Sequence, residues 1–140
     1  MKTVHPSPLL KFALLADAAV SGAMGVLQLS ATATLAALLE LPQALLVGTG
    51  EFLVVYALLL VGMAARAGLW AALVVFIVLG NVMWGLACLA LPGTGTLAPN
   101  ALGIGFLLLQ AAAVAVFAAL EWRGLQRSPP AGATAGAVLS

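Results

Sequence analysis

Two carboxyl groups lie inside long apolar stretches of this chain, and they are the side chains best suited to chemistry. Asp17 lies in the first stretch and Glu51 in the second, and no lysine or arginine lies inside any of these stretches. A charge at the centre of a bilayer costs about 2.5 to 3.5 kcal/mol on insertion scales, so such groups usually face a protein interior or water. We therefore expect both carboxyl groups to face other helices.

A polar layer near the middle of the membrane has two interpretations. Glu51, Asn81 and Gln110 are expected at similar depth, whereas Asp17 is expected nearer the cytoplasmic boundary. In the first interpretation these groups only join helices, because amide side chains commonly form interhelical hydrogen bonds. In the second, Glu51 is the centre of a site for a proton, a metal cation or an organic cation, with Asn81, Gln110 and either Asp17 or Tyr56 as further members. Competition between proton and cation for one carboxyl group is the physical basis of coupled exchange.

The first apolar stretch has a face of polar and small residues. Asp17, Ser21, Gly25 and Gln28 recur at intervals of four, four and three residues, which is helical spacing. Ala18 with Gly22, and Ser21 with Gly25, are pairs of small residues that allow neighbouring helices to approach closely. This pattern predicts helix packing at Ala18, Gly22 and Gly25. Asp17 has an alternative role, since Arg66 or Arg123 could reach it from the cytoplasmic side.

The other three stretches also present polar groups on an expected inward face, one each in the second and third stretches and two in the fourth. In the second stretch this face comprises Gly48, Glu51, Val55 and Gly62. In the third it comprises Asn81, Trp84 and Cys88, and in the fourth Gln110, Val114, Phe117 and Glu121.

The remaining residue inventory favours no enzyme, cofactor or metal site. The single histidine, His5, precedes the first apolar stretch, and Cys88 is the single cysteine, so neither a haem pair nor a cysteine-ligated metal site is expected. No phosphate-binding loop or Ser, His, Asp arrangement suited to nucleophilic catalysis is evident.

The composition indicates a membrane protein. Hydrophobic residues make up 64% of the 140 residues and charged residues 6%, and the mean hydropathy is +1.22. Such values lie outside the range of soluble domains. Four stretches meet the roughly 20 residues that a helix needs to cross a bilayer. We expect an all-α domain over residues 1–127, an antiparallel bundle of four transmembrane helices at about 12–30, 44–63, 69–90 and 100–121.

The basic residues indicate the orientation. All five lie on one side of the four-span pattern, namely Lys2, Lys11, Arg66, Arg123 and Arg127. By the positive-inside rule both termini face the cytoplasm, and the expected location is the inner membrane of a bacterium. Cations spread over three segments do not form a nucleic-acid surface, but they suit anionic lipid headgroups. The expected partners are membrane lipids, and further copies of the chain or another membrane protein.

The segments outside the spans give three more expectations. Leu35, Leu38, Leu39 and Leu41 with Glu40 predict a short helix along the outer membrane surface. Residues 128–140 are poor in large apolar side chains, which predicts a disordered tail. A cleavable signal peptide before Ala31-Thr32-Ala33 is the alternative for the N-terminus, although the apolar stretch exceeds a signal core of roughly 7 to 15 residues and contains Asp17.

Two resemblances concern the general plan. An acidic residue in the first helix, Asp17, with a tryptophan in the third, Trp84, resembles the outline of small multidrug resistance transporters, although that family has its acid as a glutamate. The motif Asp17-x3-Ser21-Gly22, Leu41-Pro42, Asn81-x2-Trp84, and Gln110 leading to Leu120-Glu121 resembles small four-helix bacterial membrane proteins with no known activity.

Three functions remain open from the sequence. The first is a structural or accessory membrane subunit. The second is a proton- or cation-coupled transporter centred on Glu51. The third is lipid or quinone binding between helices around Trp84 and Phe106.

Overall fold

The protein is an all-α bundle with four helices that are long and apolar enough to cross a membrane. The computed structural model describes residues 2–132. The long helices are α1 (Pro8–Ser30), α3 (Gln43–Ala64), α4 (Ala71–Ala90) and α5 (Ala101–Gln126), and the short helix α2 is Thr32–Leu39. A 3-10 turn (Leu91–Thr94) follows α4, and β1 (Thr3–Val4) pairs antiparallel with β2 (Leu69–Trp70). The predicted fold class is confirmed.

Local side-chain chemistry sets where α1 and α5 begin. Ser7 caps α1, because its hydroxyl accepts from the backbone N–H of Leu10 at 3.2 Å. Asn100 caps α5 by accepting from the Gly103 N–H at 2.9 Å, and its amide donates to the Leu38 carbonyl at 2.8 Å. The first of these caps fixes the start of the helix that carries Asp17.

The four long helices form an arc in the order α3, α1, α5 and α4, so that α1 and α5 are central. Extended contacts join α1 to α3, α1 to α5 and α4 to α5, whereas the fully described helices α3 and α4 are not in extended contact. A Cβ on Gly25 would lie 2.9 Å from the Gly50 carbonyl oxygen, and one on Gly22 would lie 3.2 Å from the Ala57 Cβ. Ala18 is buried in the apolar cluster that contains Ala57. The small residues of α1 thus allow α3 to approach closely, whereas α3 and α4 are left apart.

One end of the bundle gathers all three segments that carry basic residues. The N-terminal strand pairs with β2, and the His5 N–H donates to the Pro129 carbonyl at 2.9 Å. Val4 and Pro130 form a further bridge. Residues 128–132 therefore pack against the N-terminal segment, so the prediction of disorder from Ser128 onward is wrong for them. Residues 133–140 lie outside the described part of the chain.

The opposite end is closed by α2 and the segment before α5. The left-handed backbone of Glu40, with φ of 52°, ends α2. Leu39, Leu41 and Leu46 then form a buried cluster against which Leu97 and Phe106 pack. The short helix between the first two spans is present, with its last leucine packed on the ends of α3 and α5.

Candidate functional site

Five polar side chains from four helices meet in one hydrogen-bonded cluster, which we call the acidic cluster. Its members are Asp17 and Ser21 of α1, Tyr56 of α3, Asn81 of α4 and Glu121 of α5. Ser21 donates to Asp17 Oδ1 at 2.7 Å, and the Tyr56 hydroxyl lies 3.1 Å from Asp17 Oδ2 and 3.2 Å from Asn81 Oδ1. The Asn81 amide donates to Asp17 Oδ2 at 2.9 Å and to Glu121 Oε2 at 3.1 Å. One amide group therefore links two carboxyl groups.

Helical spacing and close packing assemble this cluster. Asp17 and Ser21 are four residues apart, so they lie on the same face of α1, and Gly25 and Gln28 continue that face as buried residues. On α5 the buried residues include Ala118, Glu121 and Gly124, and a Cβ on Gly124 would lie 2.7 Å from the Leu10 Cα. That close approach of α1 and α5, near the end of the bundle that carries the basic residues, brings the two carboxyl groups together.

The two acids lack a basic partner within the described residues. Asp17 and Glu121 are both 0% exposed. Glu121 Oε1 is buried and has no hydrogen-bond partner among the described residues. The partners of Asp17 are Ser21, Tyr56 and Asn81, whereas Arg66 and Arg123 are exposed. The alternative that an arginine pairs with Asp17 is therefore wrong.

Gln110 belongs to a second, neutral set of polar groups. The Trp84 indole N–H donates to Gln110 Oε1 at 3.3 Å, and the Thr49 hydroxyl donates to Gln28 Oε1 at 2.6 Å. Gln28, Thr49, Trp84 and Gln110 together line a cavity of about 100 Å³ between the two halves of the bundle. The expected layer of Glu51, Asn81 and Gln110 is thus replaced by two layers, an acidic one and a neutral one.

Glu51 lies outside both layers, so the prediction that it forms the centre of a buried site is wrong. It is exposed on α3, as are Gly48, Val55 and Gly62. The buried face of α3 comprises Leu46, Gly50, Leu53, Ala57, Leu60, Met63 and Ala64. Because apolar side chains occur on every side of α3 and lipid is as apolar as leucine, burial of apolar surface does not select its inward face. Close packing of Gly50 on α1 does select it.

A cavity in the gap between α3 and α4 reaches the acidic cluster. Its volume is about 240 Å³, and Ser21, Tyr56 and Asn81 contribute to its lining. Phe52 stacks between Tyr56 and Trp84, with ring centroids 5.9 Å and 5.6 Å away. Aromatic side chains therefore cover the approach to the carboxyl groups from the membrane side.

One member of the cluster, Glu121, was absent from the site that the sequence predicts. Glu121 was placed at the last residue of the fourth span, but α5 continues to Gln126 and keeps Glu121 within the helix. The sequence did indicate that Glu121 faces inward, because it lies eleven residues after Gln110 and therefore on the same face of the helix. Tyr56 was expected only as a possible neighbour of Glu51, whereas the buried face of α3 places its hydroxyl beside Asp17.

No family model, curated protein or solved structure matches this chain. Two buried carboxyl groups joined by donors can hold a proton between them or bind a cation, because either one offsets like charges in an apolar interior.

Proposed function

We propose that this multi-pass membrane protein takes up and releases a proton or a cation at Asp17 and Glu121, as a small coupled carrier. One observation supports this most strongly: two carboxyl groups with no exposure to solvent or lipid accept from the same amide of Asn81. The proposal keeps the carrier hypothesis of the sequence and moves its centre from Glu51 to the acidic cluster.

The electrostatics of the pair require a positive partner. Carboxylates that are close together in a site of low dielectric do not both ionise without compensation. Ser21, Tyr56 and Asn81 supply hydrogen-bond donors but no net charge. A proton or a cation therefore neutralises part of the pair, and exchange of one proton for one monovalent cation leaves the net charge of the site unchanged.

The surroundings of the pair supply a route for such an exchange. Tyr56 and Asn81 belong both to the cluster and to the lining of the cavity between α3 and α4. A ligand in that cavity would contact the donors that hold the two acids in place. Movement of α3 relative to α4 would alter these hydrogen bonds, since the two helices are not in extended contact.

The same proposal includes an orientation in the bacterial inner membrane. The described segments that carry the five basic residues lie at one end of the bundle, joined through β1, β2 and residues 128–132. The positive-inside rule then gives cytoplasmic termini. The acidic cluster would lie in the half of the membrane that faces the cytoplasm.

A second candidate is an accessory subunit of a larger membrane assembly. The exposed carboxyl group of Glu51 on α3 favours it, because a carboxyl group within a span is costly when it faces lipid. A partner helix, from a second copy or from another protein, would remove that cost.

Flux measurements in proteoliposomes test the proposed function. The purified protein is reconstituted with a pH-sensitive dye inside the vesicles, and internal pH is followed after Na⁺ or K⁺ gradients are imposed. Wild type is expected to couple one gradient to proton movement, and Asp17→Asn and Glu121→Gln to abolish the coupling. Glu51→Gln is the matched control, since it removes a carboxyl group that lies in a span but outside the cluster.

Two results would contradict the carrier. One is wild-type flux equal to that of empty liposomes with both gradients. The other is loss of flux in Glu51→Gln with normal flux in Glu121→Gln. Elution of each variant as a single folded species in size-exclusion chromatography is required before its flux is read.

A further inference from the structure

The gap between α3 and α4 continues to the cytoplasmic end of the bundle as one groove. The cavity of about 240 Å³ beside the acidic cluster adjoins a second cavity of about 490 Å³, and Leu59 lines both. The second cavity is also lined by Met63, Arg66 and Trp70. We call the two together the α3–α4 groove.

The apolar part of the groove has the depth of one lipid leaflet. From Met63 to Phe52 a helix rises roughly 16 Å at 1.5 Å per residue. This is about half of the roughly 30 Å hydrocarbon core of a bilayer. At its deep end the groove meets the stacked rings of Phe52 and Trp84, whose centroids are 5.6 Å apart. A chain that entered from the cytoplasmic side would therefore end at the aromatic stack.

The mouth of the groove has positive charge at the depth of lipid headgroups. Arg66 is exposed and lines the cavity there. The Lys2 carbonyl accepts from the Ala71 N–H at 3.0 Å, which places the Lys2 backbone beside the start of α4. Trp70 is 55% exposed at the same end, where tryptophan commonly contacts headgroups. Positive charge above an apolar groove matches an amphiphile with an anionic head.

We propose that the α3–α4 groove binds one anionic phospholipid, with its phosphate at Arg66 and Lys2 and an acyl chain along Leu59 towards Phe52. A transmembrane helix is a poor occupant, because it would cross the whole hydrocarbon core of roughly 30 Å, whereas the groove reaches the Phe52–Trp84 stack after about half of that depth. This inference goes beyond the proposed function and does not depend on it, since no carboxyl group takes part in lipid binding.

Native mass spectrometry of the full chain in a neutral detergent tests the proposal. The probes are phosphatidylglycerol and phosphatidylcholine with identical acyl chains. Wild type is expected to retain phosphatidylglycerol at least tenfold more strongly. Arg66→Gln is expected to weaken phosphatidylglycerol binding about fivefold, since one cation near a headgroup contributes about 1 kcal/mol. Arg127→Gln is the matched control at the same end of the bundle, outside the groove lining, and is expected to bind like wild type.

A second pair of variants tests the apolar part of the groove. Gly80 lines the groove and Gly105 does not, and a Cβ at either position would meet no atom within 4 Å. Gly80→Leu is expected to fill the groove and lower retention of both lipids at least tenfold. Gly105→Leu, which adds the same side chain elsewhere, is expected to leave retention unchanged.

Any of four results would overturn the inference. Two of them are equal retention of the two lipids by wild type and equal retention by the two leucine variants. A third is retention of inorganic phosphate alone by wild type that Arg66→Gln weakens as much as it weakens retention of phosphatidylglycerol. Release of lipid from a dimer on dissociation to monomers would also overturn it, since the groove would then be an interface between copies. Glu121→Gln is expected to retain lipid normally, so lipid binding and carrier activity can fail separately.

Discussion

Substitution of Asn81 should reveal how strongly the acidic cluster holds the helices together. Asn81→Leu keeps a side chain of similar size but removes the donors to Asp17 at 2.9 Å and to Glu121 at 3.1 Å, and the acceptor for Tyr56 at 3.2 Å. Interhelical hydrogen bonds in membranes average about 0.6 kcal/mol and reach about 1.7 kcal/mol. Bonds to charged groups lie at the strong end of the range. Loss of one bond to a charged carboxylate and two bonds to neutral groups should therefore lower the free energy of unfolding by about 2 to 3 kcal/mol.

A matched control separates the cluster from ordinary interhelical bonding. Gln110→Leu removes one neutral bond, from Trp84 at 3.3 Å, and should cost about 0.6 kcal/mol. Reversible unfolding of both variants in bicelles by steric trapping measures the difference. The unfolding equilibrium constants of the two variants should differ at least tenfold, since a difference of about 1.4 kcal/mol in free energy is a factor of ten. Equal costs for the two variants would refute the assignment of a strong hydrogen-bonded cluster at Asn81.

Three further predictions concern packing, partners and orientation. Gly25→Val should destabilise the protein by about 1 to 3 kcal/mol through overpacking against α3. Gly105→Ala has no atom near its new Cβ and should be neutral or stabilising by about 1 kcal/mol. Unfolding in bicelles compares the two variants, and equal stability would contradict the close packing of Gly25 on α3. Glu51→Gln should leave the stability of the monomer within about 0.5 kcal/mol of wild type. It should weaken self-association or binding to a partner protein, measured by crosslinking in membranes. Unchanged crosslinking would argue against a partner at the exposed face of α3 that carries Glu51. Lys2→Cys should react with a membrane-impermeant thiol reagent only from the cytoplasmic side and Thr96→Cys only from the other, and labelling of both from one side would contradict the orientation.

The spans and their order are predictable because they depend on quantities that the sequence carries directly. A helix needs a fixed length of apolar residues to cross a bilayer, and four such helices are present. The buried face of α1 is also predictable, since Asp17, Ser21, Gly25 and Gln28 recur at helical spacing and all four are buried. Polar side chains at regular spacing mark a face even where hydrophobicity is uniform.

The face of α3 is not predictable in the same way. Its single carboxyl group, Glu51, suggests one inward face, yet the opposite side packs on α1 through Gly50 and Leu53. Because the lipid is apolar, the choice between faces depends on steric fit with α1, which involves two helices at once. The same choice places Tyr56 in the acidic cluster. The role of Glu121 depends in turn on α5 continuing beyond the apolar stretch.

The protonation of the acidic cluster is the most direct test of the central claim. Infrared difference spectroscopy of the protein in lipid would follow carboxylic acid bands between pH 5 and pH 9, for wild type, Asp17→Asn, Glu121→Gln and the control Glu51→Gln. Wild type is expected to show a band for a protonated carboxyl group near neutral pH. Either cluster variant should alter this band, Glu51→Gln should leave it intact, and a specific cation should displace it. A band that disappears only in Glu51→Gln, with Asp17 and Glu121 ionised throughout and indifferent to cations, would contradict the account.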